Sequence, residues 1–433
     1  MLRKAVGIAL IDQAVLSLFN LGLNLMLIAL AAPAEFGRYI YASAILLVAT
    51  SLQNALVTTP LAVLVPGRPA DEQVRVVQGL LSFDLPFRIG CALIAPVLCL
   101  LTDHSPDFLL AVTVCVYSAL GRETWRTLAL AFEQPAECLR IDSIAVLASC
   151  VATAGLWWVL RPAVACIAGI AIGNFVGAYM ARRTRAPERL PIPEAIRNYR
   201  AMFWGDTQWS LMGAGTTELQ YRSYVFTLEF FREASVLAAV QAGRLLLGPL
   251  SLVVSAWGKV ARPEMARNRA ENDAQGMMRI TASGMVYVLS VAVAYCAALF
   301  LLWPLAERWI FKGRYADVGL MTMAWAGYML VVTTHMVLSV PLQAAMQLKE
   351  LAKVTMATAV LTGLLLLCLA LPVPPVFAVV AMTIGEVVAL GWILWLVLQL
   401  ADSRTEDAPE RRDALADAAS TVTVSGSLAR AEP

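Results

Sequence analysis

Long runs without a single charged side chain set the limits on what this chain can fold into. Residues 39–67, 143–160, 162–181, 280–306 and 354–385 contain no Asp, Glu, Lys or Arg. A helix needs about 20 apolar residues to cross the hydrocarbon core of a bilayer, and these runs reach or approach that length. The last run is too long for one helix. Pro372, Pro374 and Pro375 divide it, because proline lacks a backbone donor and clashes with the preceding turn. Only 15% of the 433 residues are charged and 59% are hydrophobic, whereas soluble domains carry roughly 25% charged residues. Such a chain cannot cover its apolar surface in water, so lipid must be part of its solvent, and helices satisfy their own backbone there. The sequence therefore predicts an all-α integral membrane protein.

A pass along the chain gives twelve segments, at 6–30, 42–65, 82–101, 108–131, 141–160, 163–182, 202–226, 234–258, 280–303, 318–343, 351–371 and 376–400. Segments 108–131 and 202–226 fit the pattern least well, because both contain charges. Arg3 and Lys4 precede the first run with no small-residue cleavage site after it, which reads as a retained first helix. Lys and Arg fix the expected orientation. With the N-terminus in the cytoplasm, 24 of the 33 fall in inside loops and the tail, and six in outside loops. Both termini are then cytoplasmic, in a multi-pass protein of the bacterial inner membrane. The most basic connection follows the sixth segment, and residues 191–204 within it read as a short interfacial helix. This gives an N-terminal bundle at 1–182, a basic cytoplasmic linker at 183–201, a C-terminal bundle at 202–401 and a disordered cytoplasmic tail at 402–433. The two halves echo each other faintly. Asp12 and Asp206 are each followed 24 residues later by Phe, in E-F-G-R (35–38) and E-F-F-R (229–232).

Net charge is only +2, which argues against a nucleic-acid partner. The eight cysteines lie in or beside hydrophobic segments without C-x-x-C spacing, and read as small buried hydrophobes. His104 and His335 lack a second ligand at metal spacing, so neither predicts a metal site. No Gly-rich phosphate loop, Ser/His/Asp set or other catalytic constellation is present, and no cofactor is implied. Energy for any transport must come from an ion or potential gradient, or from substrate supply.

Several stretches resemble bacterial polysaccharide exporters of the Wzx type, within the multidrug/oligosaccharidyl-lipid/polysaccharide (MOP) flippase superfamily. They are D-Q-A-V-L-S-L-F-N-L-G-L-N-L (12–25), E-F-G-R-Y (35–39), Q-N-A-L-V-T-T-P-L (53–61), G-R-E-T-W-R (121–126) with A-F-E-Q-P (131–135), and Q-A-G-R-L-L-L-G-P-L (241–250) leading into V-A-R-P-E-M-A-R (260–267). The resemblance spans about residues 8–400 and implies two six-helix bundles around a central cavity. It also implies a task, the flipping of undecaprenyl-diphosphate-linked oligosaccharide in the phospholipid bilayer, with polysaccharide polymerase and chain-length proteins as partners. The first helix departs from some relatives in carrying Asn, Gln and Ser in place of basic residues. Two rivals compete with this reading: a drug/cation antiporter of the same superfamily, and a membrane polysaccharide polymerase or ligase. The second is disfavoured by the short outside loops.

Charges inside the membrane cost from about 2.5 kcal/mol upward, so each demands a reason. Arg244, in the eighth segment, is either a cavity-lining cation for a diphosphate, which its fork of donors suits, or half of an ion pair with Glu218, Asp12 or Glu386. Glu218 and Arg222 are spaced to pair along one helix, and Asp84 and Arg88 repeat that spacing. Arg122 and Arg126 read either as interfacial anchors or as headgroup-capturing cations. Glu386 and Asp12 are the ion-coupling candidates, although Glu386 reads first as a hydrogen-bonding helix contact. Asn24 and Asn54, with Asn20 and Gln53, could bind sugar hydroxyls or pair across helices.

Overall fold

The computed structural model describes residues 2–66, 68–102, 104–182, 189–271, 273–315, 317–345 and 347–400. The side chain of Asp206, part of the basic linker and the predicted tail lie outside the described residues. The helices are α1 (Leu2–Leu30), α2 (Pro33–Leu64), α3 (Ala70–Leu100), α4 (Pro106–Ala131), α5 (Pro135–Leu156), α6 (Pro162–Arg182) and α7 (Ile192–Met202). They continue with α8 (Trp204–Phe231), α9 (Ala234–Leu245), α10 (Gly248–Ala270), α11 (Ala274–Leu301), α12 (Val318–Ala344), α13 (Leu348–Leu366) and α14 (Phe377–Leu400). No strand occurs among the described residues.

Nine of these helices are long and apolar enough to cross a membrane, and α9 with α10 makes a tenth. Helices α4 and α8, at 26 and 28 residues, are also long enough. They carry the charges already noted in segments 108–131 and 202–226. By length alone the described residues hold twelve such stretches, of which nine, or ten with the bent α9–α10 pair, are also apolar enough to cross. The largest difference lies in α3, which begins at Ala70 and not near 82. Val76, Val77, Leu80 and Leu81 are buried in one core cluster, a helical rather than a lipid-facing spacing. Asp71 and Glu72 in the first turn suit the positive end of the helix dipole. The helix therefore continues past the apolar run, and Asp84 and Arg88 sit in its middle, not at its start.

By internal packing the chain forms two compact units. One holds the chain up to Leu246 with Leu301–Trp325 and Ala359–Met382; the other holds Leu247–Phe300, Ala326–Thr358 and the chain from Thr383. In the second unit, Met265, Met277, Val354, Ala389 and Ile393 form an apolar core. In the first, α5 and α6 approach closely because Gly169, Gly173 and Gly177 repeat every fourth residue. A Cβ on Gly173 would lie 2.0 Å from Ser149 Oγ and 2.3 Å from the Ala145 carbonyl. Small residues are what let helix backbones meet where burial in lipid gives no hydrophobic drive.

The E-F-G-R run does four jobs at the α2 start. Glu35 Oε2 accepts from the Ala163 N–H at 3.1 Å, capping α6, and Arg38 bonds Glu35. Phe36 is fully buried, and Gly37 lies so close to the Ala234 carbonyl that a Cβ would sit 1.8 Å from its oxygen. Its echo serves a comparable end. Glu229 meets His104 at 3.0 Å, and Arg232 donates to the carbonyls of Leu369, Leu371 and Val373. Helix α7 falls within the stretch 191–204 where a short helix is predicted, exposing Ile192, Ile196 and Met202 while burying Ala195 and Tyr199. Its Tyr199 hydroxyl donates to the Leu56 carbonyl at 2.8 Å, in the π-turn Asn54–Thr58 where α2 widens.

Candidate functional site

The first unit contains a cavity of about 350 Å³ with mixed walls, polar groups standing beside apolar ones such as Leu16, Leu46, Val146 and Ile170, formed by α1, α2, α4, α5 and α6. Helix α1 contributes Gln13, Ser17 and Asn20, spaced i, i+4 and i+7 on one face. Ser43 and Thr50 come from α2, Arg122 and Glu123 from α4, Ser149 from α5 and Asn174 from α6. Amides and hydroxyls can each donate and accept, so these walls can bond a polyhydroxylated group in many orientations.

One end of the cavity abuts an ion-pair lattice. Arg126 Nε bonds Asp142 Oδ2 at 2.7 Å, Nη2 bonds Asp12 Oδ2 at 2.9 Å, and Nη1 bonds Glu123 Oε1 at 3.2 Å. Arg122 pairs with the other oxygen of Asp142. The Asp142 carboxylate is fully buried and the Asp12 carboxylate is 5% exposed. These contacts tie α1, α4 and α5 together, and they follow from residue type, since only a guanidinium offers several donors in one rigid plane. Asp12 Oδ1 is buried with no hydrogen-bond partner among the described residues. Cys138 Sγ lies 3.6 Å from Asp12 Oδ2, and one ligand atom each of Asp12, Cys138 and Asp142 fall within 4.8 Å of one another. The Arg126 guanidinium bonds both carboxylates there, so a cation could use these ligands only by displacing it.

The other sequence-predicted residues are not gathered in this cavity. Glu218 and Arg222 pair along α8. Arg244 Nη1 lies 3.2 Å from the Tyr224 hydroxyl, and its guanidinium sits 5.0 Å from the Trp325 ring centre. Tyr224 in turn bonds Gln241 at 2.5 Å. Of the three carboxylates offered as Arg244 partners, Asp12 pairs with Arg126, Glu218 with Arg222 and Glu386 with His335, at 2.7 Å in the last case. Asn24 turns back on its own helix, donating to the Asn20 carbonyl at 2.7 Å, and Asn54 accepts from Thr58 at 2.6 Å. Gln53 donates to Asp84 and Thr124, and the Arg88 guanidinium lies 3.0 Å from Asp84.

Sequence reasoning singled out Arg122, Arg126 and Asp12 but missed Asp142, Ser149 and Asn174. The available signal was weak. Asp142 and Ser149 are two turns apart on one face of α5, and Asn174 stands alone among apolar residues.

No protein-family model matches the chain, and no curated protein matches it by sequence. Solved structures do. The lipid II flippase MurJ in its inward closed conformation superposes with a TM-score of 0.71 at 12% identity, over 90% of this chain and 87% of that one. An inward-facing multidrug-resistance MATE transporter of the MOP superfamily gives 0.68 at 11% identity, over 92% of this chain and 99% of that one. A MOP transporter from Pyrococcus furiosus, described as having a binding pocket of reversed polarity, gives 0.52 at 10% identity, over 93% and 96%. The chain therefore has the all-helical, multi-pass fold of the MOP superfamily transporters.

Proposed function

We propose that this chain flips an undecaprenyl-diphosphate-linked oligosaccharide across the bacterial inner membrane, for exopolysaccharide, capsule or O-antigen assembly. The observation that carries this reading is a cavity between membrane-length helices whose lining includes amides and hydroxyls from α1, α2, α5 and α6 beside apolar residues. Polar side chains at that depth are costly, and a sugar head group is the cargo chemistry that repays donors and acceptors of both kinds. The shared fold with a lipid II flippase supports it. In this reading the six-helix bundles are 1–182 and 202–401, both termini are cytoplasmic, and polymerase and chain-length proteins act next. Arg122, on the cavity wall, and Arg244 supply positive charge for the diphosphate. Asp12, whose second oxygen has no hydrogen-bond partner among the described residues, and Glu386 are the groups through which an ion could couple.

Deleting the gene is expected to abolish a surface polysaccharide while lipid-linked repeat units accumulate on the cytoplasmic leaflet. Full-length polymer at the surface of a strain with no second flippase would overturn the assignment. A drug/cation antiporter is the second reading, favoured by one feature. Asp12, Asp142 and Glu123 outnumber Arg122 and Arg126, leaving the lattice a formal charge of −1. Gradient-driven movement of a cationic dye in vesicles, with normal polymer in the deletion strain, would select that reading.

A further inference from the structure

Beside the polar cavity, in the same unit, runs a second and larger recess of about 710 Å³ between α1 and α5. Its walls are almost wholly apolar: Leu18, Gly22, Met26 and Leu30 on α1 with Ala154 on α5 and Trp157 just past its end. Volumes of about 300–1,000 Å³ with apolar and aromatic walls are typical of ligand sites. Phe19 lines both this cleft and the polar cavity, so the two adjoin.

Their order along α1 gives the pair a direction. The cavity takes residues 13–20 of α1 and the cleft takes residues 18–30. At a rise of 1.5 Å per residue the cleft extends roughly 18 Å along the helix, over half of a hydrocarbon core of about 30 Å. A polar chamber followed by an apolar channel matches an amphiphile lying parallel to α1, head towards the helix N-terminus and chain towards its C-terminus. With the N-terminus cytoplasmic, such an amphiphile points its head towards the cytoplasmic side.

We propose that the α1–α5 cleft seats the polyprenyl chain of the lipid-linked cargo while its sugar head occupies the adjoining polar cavity. This rests on the flippase reading above. Lipid tails are as apolar as leucine, so moving the chain from bilayer to cleft gains little hydrophobic energy. The cleft instead selects by shape, through many small dispersion contacts, and places the chain so that the head meets the polar walls.

Gly22 supplies the test. A Cβ there meets nothing within 4 Å, so a side chain starts into open space beside the cleft, and glycine is a poorer helix former than tryptophan. Gly22→Trp should therefore fold and reach the membrane at normal level, yet lower polymer export at least tenfold. Gly90→Trp, a second open position on α3 away from both recesses, should export normally. Purified full-length protein in phosphatidylcholine vesicles, given a benzophenone-bearing undecaprenyl phosphate, should cross-link at residues 18–30 and 150–158. Excess undecaprenyl phosphate should compete this labelling, excess phosphatidylcholine should not, and Gly22→Trp should lose it. Equal labelling by a benzophenone phosphatidylcholine, unaffected by the prenyl competitor, would show ordinary lipid contact and overturn the proposal, as would full export by a stable Gly22→Trp protein. Either failure leaves the deletion phenotype intact. Loss of the flippase reading would show in the deletion strain and not in the cross-link.

Discussion

Removing Arg126 tests the ion-pair lattice most directly. In Arg126→Ala the carboxylates of Asp12 and Asp142, at 5% and 0% exposure, lose their bonds of 2.9 and 2.7 Å. Asp142 keeps Arg122, but no other bond to the Asp12 carboxylate from Lys or Arg occurs among the described residues, so the larger loss falls there. Breaking one buried pair costs about 3–5 kcal/mol, because the remaining charge stays buried. That is a large share of a stability of about 5–15 kcal/mol. At about 2 °C per kcal/mol for a long chain, the unfolding midpoint of detergent-purified protein should fall by about 6–10 °C, and membrane abundance with it. Arg126→Lys should fall in between, since a single ammonium cannot span three carboxylates. Asp12→Asn placed on Arg126→Ala should restore at least half of the lost midpoint, because it removes the stranded charge. An Arg126→Ala protein with an unchanged midpoint and abundance would refute the claim that this guanidinium holds α1, α4 and α5 together.

Three further outcomes are expected. Alkaline-phosphatase fusions should be active after His104 and Arg232 and inactive after Arg68, Arg189 and Arg269; activity at 189 would reverse the six-plus-six topology. Arg244→Ala should export polymer poorly at normal membrane level while Arg244→Lys keeps part of the activity, and normal export by a stable Ala variant would remove Arg244 from the cargo path. Gly173→Leu should lower the unfolding midpoint, since even its Cβ would lie 2.0 Å from Ser149 Oγ and overpacking costs about 1–3 kcal/mol; an unchanged midpoint would mean that α5 and α6 are not held at backbone contact.

The sequence by itself determined the helices. A helix in lipid bonds its own backbone, so its existence depends largely on local apolar length, and each hydropathy segment falls on a long helical stretch, nine or ten of them apolar enough to span. The charged α4 and α8 and the early start of α3 are the places where local hydropathy is a poor guide, because packing against protein sets the helix length there. Intrahelical pairs such as Glu218 with Arg222 were legible for the same reason, being fixed by a spacing of four. Only the tertiary structure decided which distant charges meet. Asp12 and Arg126 lie 114 residues apart, and His335 and Glu386 lie 51 apart. Neither pairing has a signature in the sequence, because it depends on how each helix is rotated about its axis and on which helices become neighbours. The polar cavity has the same origin. Its walls come from five helices with one to three polar groups each, ordinary when read singly and a site only once packing turns them inward.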